Sequence, residues 1–162
     1  MANRPTIRKA ELPDAEGIKA CVDAAYQHYI PRMGQAPGPM LNDYSQVIGR
    51  HQAFVLGEGG QIIGVLVLVS DEEMLLLDNV AVHPDRQGQG LGRQLIAFAE
   101  NEAAKQGYSS LELYTHESMT ENIGLYESLG YVETDRRTAS GYRRVYMRKD
   151  LTQELGQADT KI

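Results

Sequence analysis

The stretch from Val80 to Arg93 constrains this chain more than any other. Val80-Ala81-Val82-His83-Pro84 reads as the end of a buried strand, and Leu91, Leu95, Ile96, Phe98 and Ala99 recur as the apolar side of a helix. Between them stand Gly88, Gly90 and Gly92, spaced two apart. Glycine lets backbone approach a ligand closely, and the first turn of a helix leaves N–H groups without partners. Together they make an anion site that needs no basic side chain, although Arg86 and Arg93 stand close enough in sequence to assist. A tight turn of purely structural purpose would use the same glycines. Two phosphate-binding patterns are excluded: the dinucleotide fingerprint needs glycine where Arg93 stands, and the Gly-Lys-Ser/Thr of a P-loop is absent.

The rest of the chain supplies alternating strand and helix patterns. Residues 6–9 form a first strand, and Leu12-Pro13-Asp14 opens a helix. Its apolar stripe is Ile18, Cys21, Val22, Ala25, Tyr26 and Tyr29, and it stops near Pro31. Residues 31–39 hold three prolines and two glycines, a stiff irregular loop, before a short helix over about 42–49. Strands at 53–56 and 62–69 flank Gly57-Glu58-Gly59-Gly60 as a hairpin. A strand over 74–82 leads into a helix over about 90–106, ended by Gly107. A strand at 111–115, a helix at 121–129 ended by Gly130, and a hairpin of 131–137 with 142–148 around Ser140-Gly141 complete the order. The expected fold is α+β, a mixed sheet of about seven strands with helices on both faces. One domain covers 1–150, and 151–162 is a polar tail.

Apolar residues are 42% and charged residues 23% of the 162, enough for a packed core. The net charge of -6, without any long basic run, argues against a nucleic-acid partner. Arg136-Arg137 and Arg143-Arg144, the densest positive spots, read as solvated strand edges. Cys21 is the one cysteine, so no intrachain disulfide forms and a reducing compartment is expected. No apolar stretch follows Met1-Ala2-Asn3-Arg4-Pro5, so no secretory leader is expected. The most apolar run, 62–69, falls far short of the roughly 20 residues of a membrane span. The expected location is the cytoplasm, with no membrane partner.

Gln87-x-x-Gly90-x-Gly92 resembles the acetyl-CoA signature of the GNAT superfamily, Gln/Arg-x-x-Gly-x-Gly/Ala, and the flanking strand and helix agree with it. Downstream, Asn122, Leu125-Tyr126 and Gly130-Tyr131 look like the family's Asn, Leu-Tyr and Gly-Phe/Tyr segment. The likeness covers roughly 50–135 well and the N-terminal third in outline. It implies a V-shaped opening between the strands ending at Val82 and Thr115, with the pantetheine arm of CoA pairing near Val80 and Val82. A backbone N–H near Val80 or Ala81 would serve the oxyanion. Gln87, Gly88, Gln89, Gly90, Leu91, Gly92 and Arg93 would hold the diphosphate. Asn122 would bond the pantetheine, or else serve as a first-turn polar residue of its helix; its spacing from the tyrosine varies among relatives. Tyr126 would protonate the departing thiolate, or pack with Ile123 and Leu129. Acceptor contacts would come from Tyr26, Tyr29, Arg32, Met33, Met40, Asp43, Tyr44 and Tyr114, although Tyr26 and Tyr29 continue the core stripe of their helix and read first as core. Many relatives are dimers, so a homodimer stays open.

Acetyl transfer to an amine needs a neutral amine, a stabilised oxyanion and a proton for the thiolate. An alkylamine is almost wholly protonated at pH 7, so a base is sought. Asp78, a carboxylate within an apolar strand, is one candidate, or simply an ion-paired Asp. His116, at a strand end, is another, or a plain loop histidine. No His, Cys or carboxylate spacing suggests a metal site. The expected function is transfer of acetyl from acetyl-CoA to a small-molecule primary amine by direct attack in a ternary complex. A protein or peptide N-acetyltransferase and a non-catalytic acyl-CoA sensor are the alternatives.

Overall fold

A computed structural model describes residues 4–151. The strands are β1 (Thr6–Lys9), β2 (Gln52–Glu58), β3 (Gln61–Ser70), β4 (Leu75–Val82), β5 (Ser110–His116), β6 (Val132–Ala139) and β7 (Tyr142–Asp150). The helices are α1 (Ala15–Tyr26), α2 (Ile30–Met33), α3 (Tyr44–Arg50), α4 (Leu91–Lys105) and α5 (Thr120–Ser128). The strands bond in the order β1-β2-β3-β4-β5-β7-β6, a mixed sheet of seven, as the pattern of elements predicts. Contacts along the chain group into two compact units: residues up to 69 with 78–99, and residues 70–77 with those from 100 onward. Among the described residues no helix is long and apolar enough to cross a membrane.

In the first unit β1, β2 and β3 are antiparallel, and the register assigns their faces. Phe54↔Leu66 and Leu56↔Gly64 point to α4: Phe98 meets Phe54 edge-on at 4.9 Å, and a Cβ on Gly64 would lie 3.2 Å from Leu95. A helix approaches this closely only because residue 64 has no side chain. The register then slips, Gly57 opposing Ile62, so Ile63 is an extra residue and Ile62 turns to the other face. There it packs beneath Gly17 of α1, whose built Cβ would come within 2.8 Å of Ile62 Cδ1. The predicted stripe of α1, Ile18, Cys21, Val22, Ala25 and Tyr26, is the buried one. Helices therefore cover both faces of this unit's strands.

One expectation fails here. The chain does not leave helical structure at Pro31. A 3-10 turn over Gln27–Tyr29 continues from α1, and α2 follows with Pro31 in its first turn, where a missing N–H removes no bond. Gly34, at φ 73°, ends it, and Gly38–Leu41 forms a further 3-10 turn. The irregular segment is shorter than its prolines suggest.

Entry to α1 is fixed by charge. Asp14 accepts from both terminal nitrogens of Arg8, at 2.8 and 2.9 Å, and from Glu11 N–H at 2.7 Å. The Arg8 bonds hold its carboxyl down at about 2 against the opposing effect of burial, and the Glu11 amide helps. An unfolded Asp titrates near ~3.9, so this stabilisation is complete above about pH 4 and is lost as pH falls through the folded value. In acid unfolding, Asp14→Asn is expected to be less stable than the parent at pH 6, with the gap closing by pH 2. A gap that stays constant with pH would rule this linkage out.

In the second unit β5 and β7 pair antiparallel from Ser110↔Asp150 to His116↔Arg144, and β4 joins β5 in parallel from Leu75↔Leu111 to Leu77↔Leu113. Ser140 and Gly141, at φ 52° and 80°, close the β6–β7 hairpin with the left-handed pair that a two-residue turn prefers. Leu111, Leu113, Thr115, Val145 and Met147 form the buried face. The end of α4 ties to this face through Glu100, which accepts from Lys149 Nζ and Tyr131 Oη, both at 3.0 Å. Helix α5 joins it where Thr115 Oγ1 meets Met119 Sδ at 3.4 Å. The edge strand β6 is exposed and carries the ion pairs Arg136–Glu133 and Arg137–Asp135, charges that discourage edge pairing. Leu151, the first residue of the expected tail, is buried and donates to Ser109 O at 2.8 Å; the remainder of that tail lies outside the described residues.

Candidate active site

The glycine turn is built as a projecting loop in the first unit. After β4, His83 N–H bonds Ile63 O at 2.9 Å, and Pro84–Arg86 form a 3-10 turn. Gln87 turns its side chain back and donates to Val82 O at 3.2 Å, so it holds the loop to the strand end. Gly88 and Gly90 both lie at φ 79°, and a Cβ built on either would meet nothing within 4 Å. Residues 87–90 are exposed. The first amide of α4 bonded back into the helix is Gln94, to Gly90 O at 3.1 Å, so the amides of Leu91, Gly92 and Arg93 precede the helical ladder. A positively polarised helix start behind two exposed, left-handed glycines suits a diphosphate.

Arg86 has a different task from the one its sequence position suggests. Its terminal nitrogens form a fork on Glu58, at 2.7 and 3.1 Å, and its Nε donates to Gln89 Oε1 at 3.2 Å. It thus cancels a carboxylate beside the loop and braces the loop itself. Glu58 is held below the usual carboxylate range, first by the Arg86 bonds.

Strand β4 alternates strictly. Leu75, Leu77, Asn79 and Ala81 are buried, while Leu76, Asp78, Val80 and Val82 are half-buried. Asn79 is the polar centre of the buried row. Its Oδ1 and the Val80 carbonyl each lie 2.9 Å from Tyr26 Oη, its Nδ2 donates to Tyr44 Oη at 3.1 Å, and Tyr44 donates to Pro39 O at 2.6 Å. Three elements and the Pro37–Leu41 segment are tied together by this chain of bonds. Burial raises the Tyr44 phenol above its ordinary range, and the nearby Asp78 charge adds to that. Tyr26, Tyr29 and Tyr44 are all buried, while Arg32 is exposed with its guanidinium 5.2 Å from the Tyr29 ring centroid. Sequence reasoning stopped at Asp78 and passed over Asn79. The signal was there: period-two alternation places position 79, not 78, on the face of Leu75 and Leu77.

In the second unit Tyr126 is buried on α5, edge-on to Tyr131 at 5.8 Å. Asn122, one turn earlier, is half-buried and donates to Met119 Sδ at 3.7 Å. Burial lowers the pKa of His116, Glu117 opposes the shift and Arg143 adds to it, so the ring is mainly neutral at pH 7. Ser118 N–H donates to His116 Nδ1 at 3.1 Å, and Ser118 Oγ lies 2.8 Å from the same nitrogen. With Nδ1 accepting, the neutral ring carries its proton on Nε2 and offers a donor there rather than a base. Tyr114 stacks beneath Arg144, whose guanidinium carbon is 3.9 Å from the ring centroid, and lies 5.7 Å from the Tyr146 ring. Arg144 is thus packed on an aromatic surface rather than simply solvated, a role its place in a basic pair does not suggest.

The chain is 39% identical over 90 residues to the ribosomal protein bS18 alanine N-acetyltransferase of Escherichia coli K12, a match covering 54% of this chain. It spans about 60% of the length of that relative. Among solved structures, a paia N-acetyltransferase from Thermoplasma acidophilum in complex with coenzyme A superposes with a TM-score of 0.78 at 17% identity, covering 91% of this chain and 99% of that one. The ribosomal-protein-S18-alanine N-acetyltransferase from Escherichia coli gives 0.69 at 27% identity, covering 91% and 94%. The family model described as an acetyltransferase (GNAT) domain matches residues 49–133, from the end of α3 to the start of β6 and with the glycine turn inside it, and the chain belongs to the GNAT acetyltransferase family.

Proposed function

We propose that this protein transfers an acetyl group from acetyl-CoA to a primary amine by direct attack. The observation that carries the reading is the exposed turn in which Gly88 and Gly90, both at φ 79°, precede the start of α4. Gln87 to Arg93 would hold the diphosphate, and the backbone near Val80 and Val82 the pantetheine. Acetyl-CoA supplies the acetyl group already activated as a thioester. The chain's own groups hold and orient that donor and deliver the leaving proton. Cys21 supports direct attack over a covalent relay, because burial pushes its thiol up to about 11 and leaves little thiolate at neutral pH.

Tyr126 is the acid in this reading. A phenol is a weak donor to a thiolate, so its contribution is that of one hydrogen bond in the transition state. Tyr126→Phe is expected to lower turnover roughly tenfold while acetyl-CoA affinity changes less than twofold. Unchanged turnover would remove Tyr126 from the mechanism. The reaction itself is tested by calorimetry with acetyl-CoA followed by thiol release across a panel of amines. No heat at millimolar donor ends the proposal.

The acceptor has two readings. A small-molecule amine fits the aromatic and methionine character of the N-terminal helices and of the loop between them. A peptide N-terminus is favoured by the Escherichia coli relative at 27% identity over nearly the whole of both chains. Rates on a free amine and on a peptide beginning with alanine separate them.

A further inference from the structure

The basic residues of the C-terminal hairpin are not all alike. Arg136 pairs with Glu133, Arg137 with Asp135 and Arg143 with Glu117. Arg144 and Arg148 have no carboxylate at ion-pair distance among the described residues, in a chain with 22 acidic residues against 16 basic ones. Both project from the face of β7 that alternates away from buried Val145 and Met147, on either side of Tyr146. Across the two neighbouring strands His116 and Arg137 stand opposite Arg144, Glu112 stands opposite Arg148, and Asp135, which Arg137 already holds, stands opposite Tyr146.

The aromatic residues fix the geometry of Arg144. Tyr114 and Tyr146 are register partners on β5 and β7. Each carries an arginine from one step along the neighbouring strand: Arg144 lies 3.9 Å over the Tyr114 ring and Arg137 lies 4.2 Å over Tyr146. Arg144 Nη1 also reaches Tyr146 Oη at 3.5 Å. A guanidinium centred over a ring still has N–H groups at its edge, and that edge takes a carboxylate in two parallel bonds. Its rotamer freedom is already spent, which lowers the cost of binding. Tyr114, Arg144 and Tyr146 remain half-exposed, so a ligand can reach them.

We propose that Arg144, held against Tyr114 and Tyr146, receives a carboxylate carried by the acceptor amine. The acceptor is then an amino acid or an acidic peptide, and the row Arg137, Arg144, Arg148 disfavours polycationic amines. This rests on the acyltransfer reading above. Four acceptors test it with the full chain and acetyl-CoA: β-alanine against β-alaninamide, and alanyl-aspartyl-glycinamide against alanyl-asparaginyl-glycinamide. The carboxylate member of one pair is expected to have at least a tenfold higher kcat/KM, mainly through KM, and which pair responds identifies the source of the carboxylate. Arg144→Gln is expected to lose roughly tenfold on that acceptor and less than twofold on its amide. Arg144→Lys keeps the charge without the fork and is expected to recover part of the loss, which serves if the Gln variant melts early. Equal rates within both pairs, a preference that survives Arg144→Gln, or acetyl-CoA binding with turnover of none of the four would overturn the inference. Absence of acetyl-CoA binding is a different result, which removes the acyltransfer reading and this inference with it.

Discussion

Gly90→Val is expected to weaken acetyl-CoA binding by about a hundredfold while the protein stays folded. A β-branched residue at φ 79° is strained by something on the order of 1–3 kcal/mol. Nothing lies within 4 Å of the built Cβ, so no neighbour prevents the free loop from rotating out of the strained conformation. The free protein therefore sheds most of the strain. Binding the diphosphate requires the amides to be turned back toward the ligand, so the strain reappears as lost affinity. The control is Gly107→Val, at φ 87° after α4 and equally open, where the same strain lies in a turn that holds no ligand. Calorimetry on both variants separates the cases. If Gly107→Val weakens acetyl-CoA binding as much as Gly90→Val does, the glycines serve the turn alone and the diphosphate site is lost as an explanation.

Local chemistry made much of this fold legible before any coordinates. The hairpin turned at Gly59-Gly60, the helices ended by Gly107 and Gly130, and the Ser140-Gly141 turn each carry their own stop signal within a few residues. Pro31 misled because its effect depends on position: it ends a helix from the interior but starts one at the first turn, and a one-dimensional pattern does not say which applies. The site divides the same way. The glycine turn is a local motif whose backbone geometry follows from its residues. The partners of Asn79 are 35 and 53 residues away, and the ring beneath Arg144 lies on another strand. Such contacts exist only once the register is set. A basic pair in sequence, Arg143-Arg144, resolves into one ion-paired residue and one stacked residue because neighbours in a strand face opposite ways.

Asn79→Ala is expected to cost about 2–4 kcal/mol of folding stability, more than most single changes. Asn79 is 2% exposed, and its amide is the middle link between two buried phenols. Removing it takes from Tyr26 the acceptor that stands beside the Val80 carbonyl and from Tyr44 the bond that Nδ2 donates to its oxygen, at about 1 kcal/mol for each bond plus the cavity left behind. Asn79→Asp is the sharper probe because it keeps the volume and removes the donor. A carboxyl in that site is favoured in its neutral form, so its folded pKa lies above the unfolded value near ~3.9 and the folded state binds the extra proton. Relative to the parent, this variant loses stability as pH rises above about 4 and goes on losing it until the folded pKa is passed. Tyr44→Phe in the Asn79→Ala background should cost less than in the parent, since the two groups share one bond. Urea unfolding at pH 5 and pH 8 measures all of these. A cost below 1 kcal/mol for Asn79→Ala, or full additivity with Tyr44→Phe, would mean that the bonds from β4 to α1 and α3 do not hold this unit together.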